Sequence, residues 1–460
     1  MDRINIQELV DTSRLNRFHL TIFCWCFVVV TLDGYDLAVP GVALPSIMLD
    51  LKVNASTAGL MASSALFGMA IGALVLGAVA DRIGRRMVFA ISIFLFSAFT
   101  LAAAFAHEPT AFSVMRFIAG VGIGGALPNA VAQMTEFSPR RRRSILVSLM
   151  MCGYTTGSVL AALLGKQCIE AYGWRSVFLA AGIPLILIPF VLASLPESLA
   201  YLVRSGNRTG LQQILQQILP DEKVPHDAQF TVHTQERASR GSFNRLFEDG
   251  RGVSTILLWV AFFTGLFVVY SISTWLVTLL TRTGHSLSAA LALLLVYNLG
   301  VIVGTVLGGW IGDRLSLKWV LAFFYALGAV SLTALAYSSN DAKLFVLVAI
   351  VGASTVGTQN LCYAYTGQFY PLAARSTGLG VAAGVGRVGA IVAPILLGAL
   401  INLNVPAADC FIAVAVVAAL GAIAVAGVNH RRCASAGPVE SRLRLEIERA
   451  HVPMPPADLQ

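Results

Sequence analysis

Apolar residues run along this chain in long stretches, separated by short polar turns and one long polar interval. Twelve of the stretches approach or exceed the roughly 20 residues that a membrane-crossing helix needs. They cover residues 19–45, 57–80, 87–106, 110–134, 144–167, 175–195, 253–280, 287–312, 318–338, 342–367, 376–401 and 406–428. Inside lipid every backbone N–H and C=O must pair within the protein, so helices are the expected form. The pattern predicts an all-α membrane protein with twelve transmembrane helices, numbered here as spans 1 to 12. The long polar interval, residues 196–252, joins two groups of six and contains Gln212, Gln213, Gln216, Gln217 and Pro225. It reads as a loop with one surface helix around 209–219. The organisation expected is a polar segment 1–18, a six-helix half 19–195, the central loop 196–252, a second six-helix half 253–428, and a tail 429–460 that begins a short amphipathic helix near 440–449.

The two groups of six are related. Residues 68–82 read GMAIGALVLGAVADR and residues 300–314 read GVIVGTVLGGWIGDR. A shift of 232 residues aligns Gly68 with Gly300, Gly72 with Gly304, Gly77 with Gly309, Asp81 with Asp313 and Arg82 with Arg314. The same shift aligns Pro139 with Pro371, Arg143 with Arg375 and Ser144 with Ser376. One gapless offset across separate regions points to duplication. Two pseudo-symmetric halves around a central site are a common plan of secondary transporters.

The composition agrees. Of 460 residues, 57% are hydrophobic and only 12% charged, against roughly 25% charged in soluble domains. The basic residues are unevenly divided. With the N-terminus in the cytoplasm, that side holds 25 Lys and Arg, including Arg140 to Arg143, Arg431 and Arg432, and the other side holds five: Lys52, Lys166, Arg175, Arg282 and Lys343. The positive-inside bias then puts both termini and the central loop in the cytoplasm, in a multi-pass protein of the inner cell membrane. Anionic lipid on that side accounts for the net charge of +8 without nucleic acid. Residues 1–19 are too polar, and span 1 too long, for a cleavable signal. The seven cysteines show no Cys-x-x-Cys spacing and no His/Cys ligand pattern, so neither a metal, a cofactor nor a disulfide framework is expected. His107-Glu108-Pro109 lacks the second histidine of a zinc motif, and no nucleophile–base constellation points to an enzyme.

The repeat sorts the remaining charges. Residues present in both halves suit architecture and gating, whereas unmatched charges inside spans suit the specific task. Asp33 aligns with Gly265, Asp36 with Val268, Arg116 with Val348, and Arg387 with Thr155. Asp33 and Asp36 share one face of span 1 at i, i+3 spacing, roughly 20–25 Å along it at 1.5 Å per residue. Charges at that depth usually line a cavity or pair. Two close carboxylates out of water cannot both stay ionised cheaply, which suits them to carrying a proton; a structural Asp–Arg pair is the other reading. Gly34, Pro40, Gly41 and Pro45 weaken span 1 and predict a local break. Arg116, in the outer third of span 4, lies near the depth of Asp36, where it either pairs with it or snorkels to the interface. Glu136, at the other end of span 4, either relays protons or pairs with Arg140 to Arg143. Arg387 lies about 17 Å into span 11, with no acidic residue at that depth in spans 7 to 12. Its planar fork matches a carboxylate, from a substrate or from Asp33 or Asp36 across the halves. Span aromatics (Tyr35, Phe67, Tyr154, Tyr270, Trp275, Tyr297, Tyr363, Tyr365) pack or face lipid by default, but a few must line the cavity, where rings favour a flat aromatic substrate. Tyr35 and Tyr363, with the amides of Asn298, Gln359 and Asn360, are carried as ligand candidates; the amides equally suit interhelical hydrogen bonds.

The loop after span 2 reads GAVADRIGRR. Gly77 permits a close helix contact, and Asp81, beside Arg82, Gly84, Arg85 and Arg86, can pair with basic residues and latch one side of the molecule. A merely topogenic basic loop is the alternative. The second copy keeps Gly309, Asp313 and Arg314 but has Ser316, Leu317 and Lys318 where the first has Gly84, Arg85 and Arg86, so its latch should be weaker.

These residues carry a resemblance. GAVADRIGRR resembles the signature loop of the major facilitator superfamily. LDGYDLAVPGV (32–42), RFIAGVGIGGALPNAVA (116–132), LPESLAYLV (195–203) and QFYPLAARSTGLG (368–380) resemble the aromatic acid:proton symporters of that superfamily. RLNRFHL (14–20), ALFGM (65–69), GTQ (357–359) and GVGRVGAIVAP (384–394) are most similar to bacterial benzoate transporters. The resemblance implies the major facilitator fold and proton-coupled import of a small aromatic carboxylate, with protons and membrane lipid as the other partners. It implies that Asp33, Asp36, Asp81 and Asp313 are needed for transport, and it adds weight to Arg116, since proton-coupled members often carry an arginine there. Val39-Pro40 and Asn360-Leu361-Cys362 depart from the pattern and bear on which acid is chosen. The alternatives are a proton-driven exporter of small organic compounds, against which stands Gly153-x-x-x-Gly157 in place of the Gly-Pro pair of superfamily antiporters, and a membrane sensor of aromatic acids, for which no signalling domain is evident.

Overall fold

The computed structural model describes residues 3–218, 229–231, 243–338, 340–430 and 433. Twelve described helices are long and apolar enough to cross a membrane. They are Arg17–Asp50, Ala55–Ile83, Arg85–Ala103, Pro109–Phe137, Arg143–Tyr172, a segmented sixth from Arg175 to Ser194, Gly252–Arg282, Leu287–Gly312, Leu317–Ala336, Asp341–Phe369, Leu372–Asn402 and Ala407–Gly427. The expected all-α architecture of two six-helix halves is the one found. A short parallel pairing of Arg3–Asn5 with Gln229–Thr231 is added to it. The amphipathic helix expected near 440–449 lies outside the described residues.

The helix breaks fall elsewhere than expected. Span 1 runs unbroken through Pro40 and Pro45, whereas span 6 divides into Arg175–Ala180, the 3-10 turn Ile183–Leu187 and Ile188–Ser194. Gly182, Pro184 and Pro189 stand at those joints, where missing N–H groups and a weak helix former favour tighter turns. Span 1 is held straight by its neighbours. A side chain at Gly34 would collide with the Tyr154 carbonyl of span 5, and one at Gly41 with the Ser273 carbonyl of span 7. Span 1 thus lies backbone-to-backbone against both halves.

Small residues make such approaches possible where lipid offers no hydrophobic drive for helix association. Gly68 and Gly72 of span 2 face the carbonyls of Phe117 and Val121 in span 4, and Gly120 faces Ala65 in return. In the second half Gly300 and Gly304 face Ala349 and Ala353, and Gly352 faces Tyr297. Every one of these contacts is its counterpart displaced by 232 residues.

The central loop is fastened to the first half. Its surface helix, Arg208–Ile218, buries Leu211, Leu215 and Ile218 against a cluster that includes Ile6, Val10, Met134 and Phe137. Asn16 caps span 1 through its side-chain oxygen, which accepts from the Phe18 N–H at 3.1 Å. Its amide nitrogen donates to the Gln217 carbonyl at 2.8 Å. Asp11 pairs with Arg143 at the start of span 5.

The two halves touch mainly toward the face opposite the termini. There Gly59 meets the Pro394 backbone and Gly398 meets Ala55. Ser63 Oγ donates to the Ile391 carbonyl at 2.8 Å, and Trp275 Nε1 to the Pro394 carbonyl at 3.1 Å. Toward the face of the termini, glycines of spans 2, 8 and 11 stand in open space. Gly77, Gly309, Gly380 and Gly384 each have nothing within 4 Å of where a Cβ would stand.

Candidate functional site

The separation of the halves opens a cavity of about 1310 Å³, counting the space at its mouth. Spans 1, 2, 4, 5, 7, 8, 10 and 11 all contribute to its wall. Lining residues on the side of the termini, such as Pro128, Ser148, Met151, Asn360 and Tyr363, are exposed. The far end is buried. A narrow chamber continues past Tyr154 and Tyr270, which line both spaces, to Ser273, Tyr297, Asn298 and Arg116. The cavity therefore opens toward the face that carries the termini. Its wall is mostly apolar, with a few polar groups set into it, the usual make-up of a small-molecule site.

The two span 1 carboxylates part company. Asp36 pairs with Arg116 in the interior of the first half, with both side chains 1% exposed and Nη1 2.9 Å from Oδ2. Arg116 Nη1 also donates to Thr100 Oγ1 at 2.5 Å, and Nη2 to the Asp36 carbonyl at 3.1 Å. That last bond follows from the sequence chemistry. In a helix the Asp36 carbonyl accepts from the N–H of residue 40, and Pro40 has none. Arg116 supplies the missing donor. The proline that seemed set to break span 1 therefore fixes the arginine instead.

Asp33 faces the other way. It lines the cavity, is 2% exposed, and its Oδ1 has no hydrogen-bond partner. Arg387 of span 11 lines the same cavity, and among the described residues the two form no ion pair. Arg387 donates to the Met69 carbonyl at 3.1 Å. Among the described residues no carboxylate lies within ion-pair distance of it. Tyr154 of the first half and Tyr270 and Tyr363 of the second line the same cavity.

The remaining candidates divide. Gln359, Asn360 and Tyr363 line the cavity. Asn298 lines the smaller chamber and donates to the Leu294 carbonyl of its own helix at 2.9 Å. Tyr35 does not face the cavity; its hydroxyl donates to the Val177 carbonyl of span 6 at 2.8 Å. The ion pair expected between Glu136 and Arg140 to Arg143 is replaced by another. Glu136 pairs with Arg85, and accepts from the Ser198 hydroxyl and the Ala200 N–H, both at 3.0 Å. Glu197 adds to this knot by accepting from the Arg86 N–H at 3.3 Å. Gly84 fits there for two reasons, a φ of +93° and a Glu197 carboxylate where its side chain would be.

In the signature loops, Gly77 and Gly309 make no close helix contact in this conformation, contrary to expectation. Arg82 and Asp313 are exposed, and Arg314 stacks on the Trp310 ring at 3.9 Å. Only the backbone of Asp81 is described. Sequence reasoning left Tyr154 and Tyr270 as packing residues by default, yet the repeat held the signal. They align with Gly386 and Ala38 and so are unmatched, like Asp33 and Arg387.

Two six-helix halves with a cavity between them, open at one end, define a class of membrane carrier, and the comparisons with known proteins give it a family. A profile described as Major Facilitator Superfamily matches residues 26–306 and 291–443; the chain belongs to that superfamily, and among its relatives there are carriers named for aromatic acids. It is 37% identical to the benzoate transport protein of Acinetobacter baylyi over 95% of both chains. It is 36% identical to the 4-hydroxybenzoate transporter PcaK of the same organism, over 86% of this chain and 88% of that one. It is 33% identical to the gallate transporter of Pseudomonas putida, over 93% and 96%. Among solved structures, the partially occluded inward-open xylose transporter XylE from E. coli superposes with a TM-score of 0.71 at 20% identity, covering 89% of this chain and 97% of that one. The last likeness speaks for the fold alone. The protein is a transporter of the inner membrane, not an enzyme.

Proposed function

We propose that this protein imports an aromatic carboxylate together with a proton by alternating access. The observation that carries the reading is Arg387, a half-buried guanidinium in the cavity wall with no carboxylate in ion-pair reach among the described residues. The relatives named for benzoate, 4-hydroxybenzoate and gallate support an aromatic acid as its partner. Asp33 carries the proton. Charge balance couples the two ligands. With neither bound, the ionised Asp33 offsets Arg387 across the cavity. With both bound, the proton neutralises Asp33 and the substrate neutralises Arg387. Either ligand alone leaves a net charge in a low-dielectric site, which disfavours closure. Asp36 and Arg116 act as a fixed internal pair beside this site.

The Lys and Arg distribution supports both termini, the central loop 196–252 and the tail 429–460 on the cytoplasmic side, so the cavity faces the cytoplasm. The loop after span 2, held by Arg85–Glu136 and Glu197, gates that side.

The test is uptake of labelled benzoate and 4-hydroxybenzoate into cells expressing the chain. Accumulation should be abolished by a protonophore. Arg387→Gln should lower it at least about tenfold, the scale of one lost charge-assisted hydrogen bond. Arg387→Lys should recover it only partly, because an ammonium cannot grip a carboxylate with two parallel bonds. An inserted protein that takes up no aromatic acid, or accumulates one regardless of the protonophore, overturns the reading.

A further inference from the structure

Gln359 is the unspent polar group of the cavity. It lies on span 10, lines the cavity and is only 5% exposed. Both amide atoms, Oε1 and Nε2, are shielded from solvent and have no hydrogen-bond partner. Tyr363, one turn along the same helix, lines the cavity too without hydrogen-bonding the amide. Burying an amide costs free energy unless it is paired, so an orphan of this kind marks a place where a ligand completes the bonding.

The repeat shows that room is kept for this amide. Gly265 of span 7 aligns with Asp33 of span 1. A Cβ at Gly265 would come 2.5 Å from Gln359 Oε1. Where the first half puts a carboxylate, the second half has no side chain, and the space is shared by the Gln359 amide oxygen and the Tyr325 hydroxyl, 2.6 Å from the same point. Gln359 itself aligns with Leu127, an apolar residue of the same cavity wall.

The chemistry of the missing partner follows from the inventory of the amide. Nε2 needs an acceptor and Oε1 needs a donor. An ionised carboxylate only accepts and would leave Oε1 unpaired, and Arg387 already offers it a better seat. An unsubstituted ring offers neither function. A ring hydroxyl offers both in one group. We infer that Gln359 recognises a hydroxyl on the substrate ring, so that this carrier favours hydroxylated aromatic carboxylates over the bare acid. The inference rests on the proposed carboxylate seat at Arg387.

The experiment compares initial uptake of labelled benzoate with that of 3-hydroxybenzoate, 4-hydroxybenzoate and 2,5-dihydroxybenzoate, in cells expressing the full chain and in cells expressing Gln359→Met. Methionine keeps the length and removes both hydrogen-bonding functions. The wild type should favour at least one hydroxylated acid by about tenfold in kcat/KM, the scale of one hydrogen bond to a buried group. Gln359→Met should shrink that ratio to near one. The ratio is taken within each variant, so the amount of inserted protein cancels. A wild type that takes up benzoate as well as or better than every hydroxylated acid overturns the inference while leaving the proposed function intact, and this outcome needs no variant. A preference that survives Gln359→Met overturns it equally. If no aromatic acid enters at all, the proposed function fails first and the inference with it.

Discussion

At the scale of residues, the two aspartates of span 1 have different work and should fail differently. Asp36 sits against a fully buried arginine. Removing one partner of such a pair leaves an uncompensated buried charge and costs about 3–5 kcal/mol. Asp36→Asn should therefore reduce the thermal stability of the detergent-purified protein, and Asp36→Asn with Arg116→Met should regain part of it. Asp33 has no such partner, so Asp33→Asn should leave the melting temperature near that of the wild type while protonophore-sensitive accumulation is lost. A melting curve and an uptake assay on the same preparations separate the two outcomes. Much of this site was readable beforehand. The helical rise put Asp36 and Arg116 at one depth, and the repeat marked Asp33 and Arg387 as unmatched. What could not be read was which way each aspartate turns. Positions at i, i+3 share a broad face, and only the packing of spans 4 and 11 decides that one meets Arg116 and the other lines the cavity with Arg387. The role of Pro40 was hidden for the same reason, because the donor that replaces its missing N–H comes from another helix.

At the scale of elements, glycines do two separate jobs that the sequence does not distinguish. Gly72 and Gly304 hold crossings inside each half; Gly77 and Gly309, one to two turns further along, stand in open space. Gly72→Leu should drive a side chain into the Val121 backbone and sharply lower the yield of monodisperse protein in size-exclusion chromatography. Gly77→Leu should spare that yield, because nothing is displaced in this conformation, yet slow uptake severalfold if spans 2 and 11 must approach when the cavity closes. Equal losses of yield would show that Gly77 is a packing residue after all. The glycine spacing was legible, but its division of labour depends on how the halves are placed at one moment of the cycle. One crossing even exchanges its glycine between partners. In the first half Gly34 of span 1 admits the Tyr154 backbone, and at the aligned positions of the second half Gly386 of span 11 meets Leu266. That exchange is what frees position 154 to carry a tyrosine into the cavity.

At the scale of the whole molecule, the placement of the opening makes a prediction about sidedness. Cys152 lines the cavity and is exposed. A membrane-impermeant maleimide should label it in inside-out vesicles and not from outside intact cells, with Cys152→Ser as the control for other thiols. A saturating aromatic acid should slow the labelling. Labelling from outside alone would reverse both the orientation and the direction of the opening. The seal at the opposite end has a further effect on how a cell would experience this protein. Backbone lies on backbone there at Gly41, Gly59 and Gly398, so molecules on that side have no route to Arg387 until the halves rock over. In this posture the site exchanges only with the pool on the side of its mouth. With the mouth on the cytoplasmic side, as proposed, cargo that builds up there keeps the seat taken and net entry dwindles. On the proposed function, import is then throttled by accumulation of its own cargo, with no separate inhibitor needed.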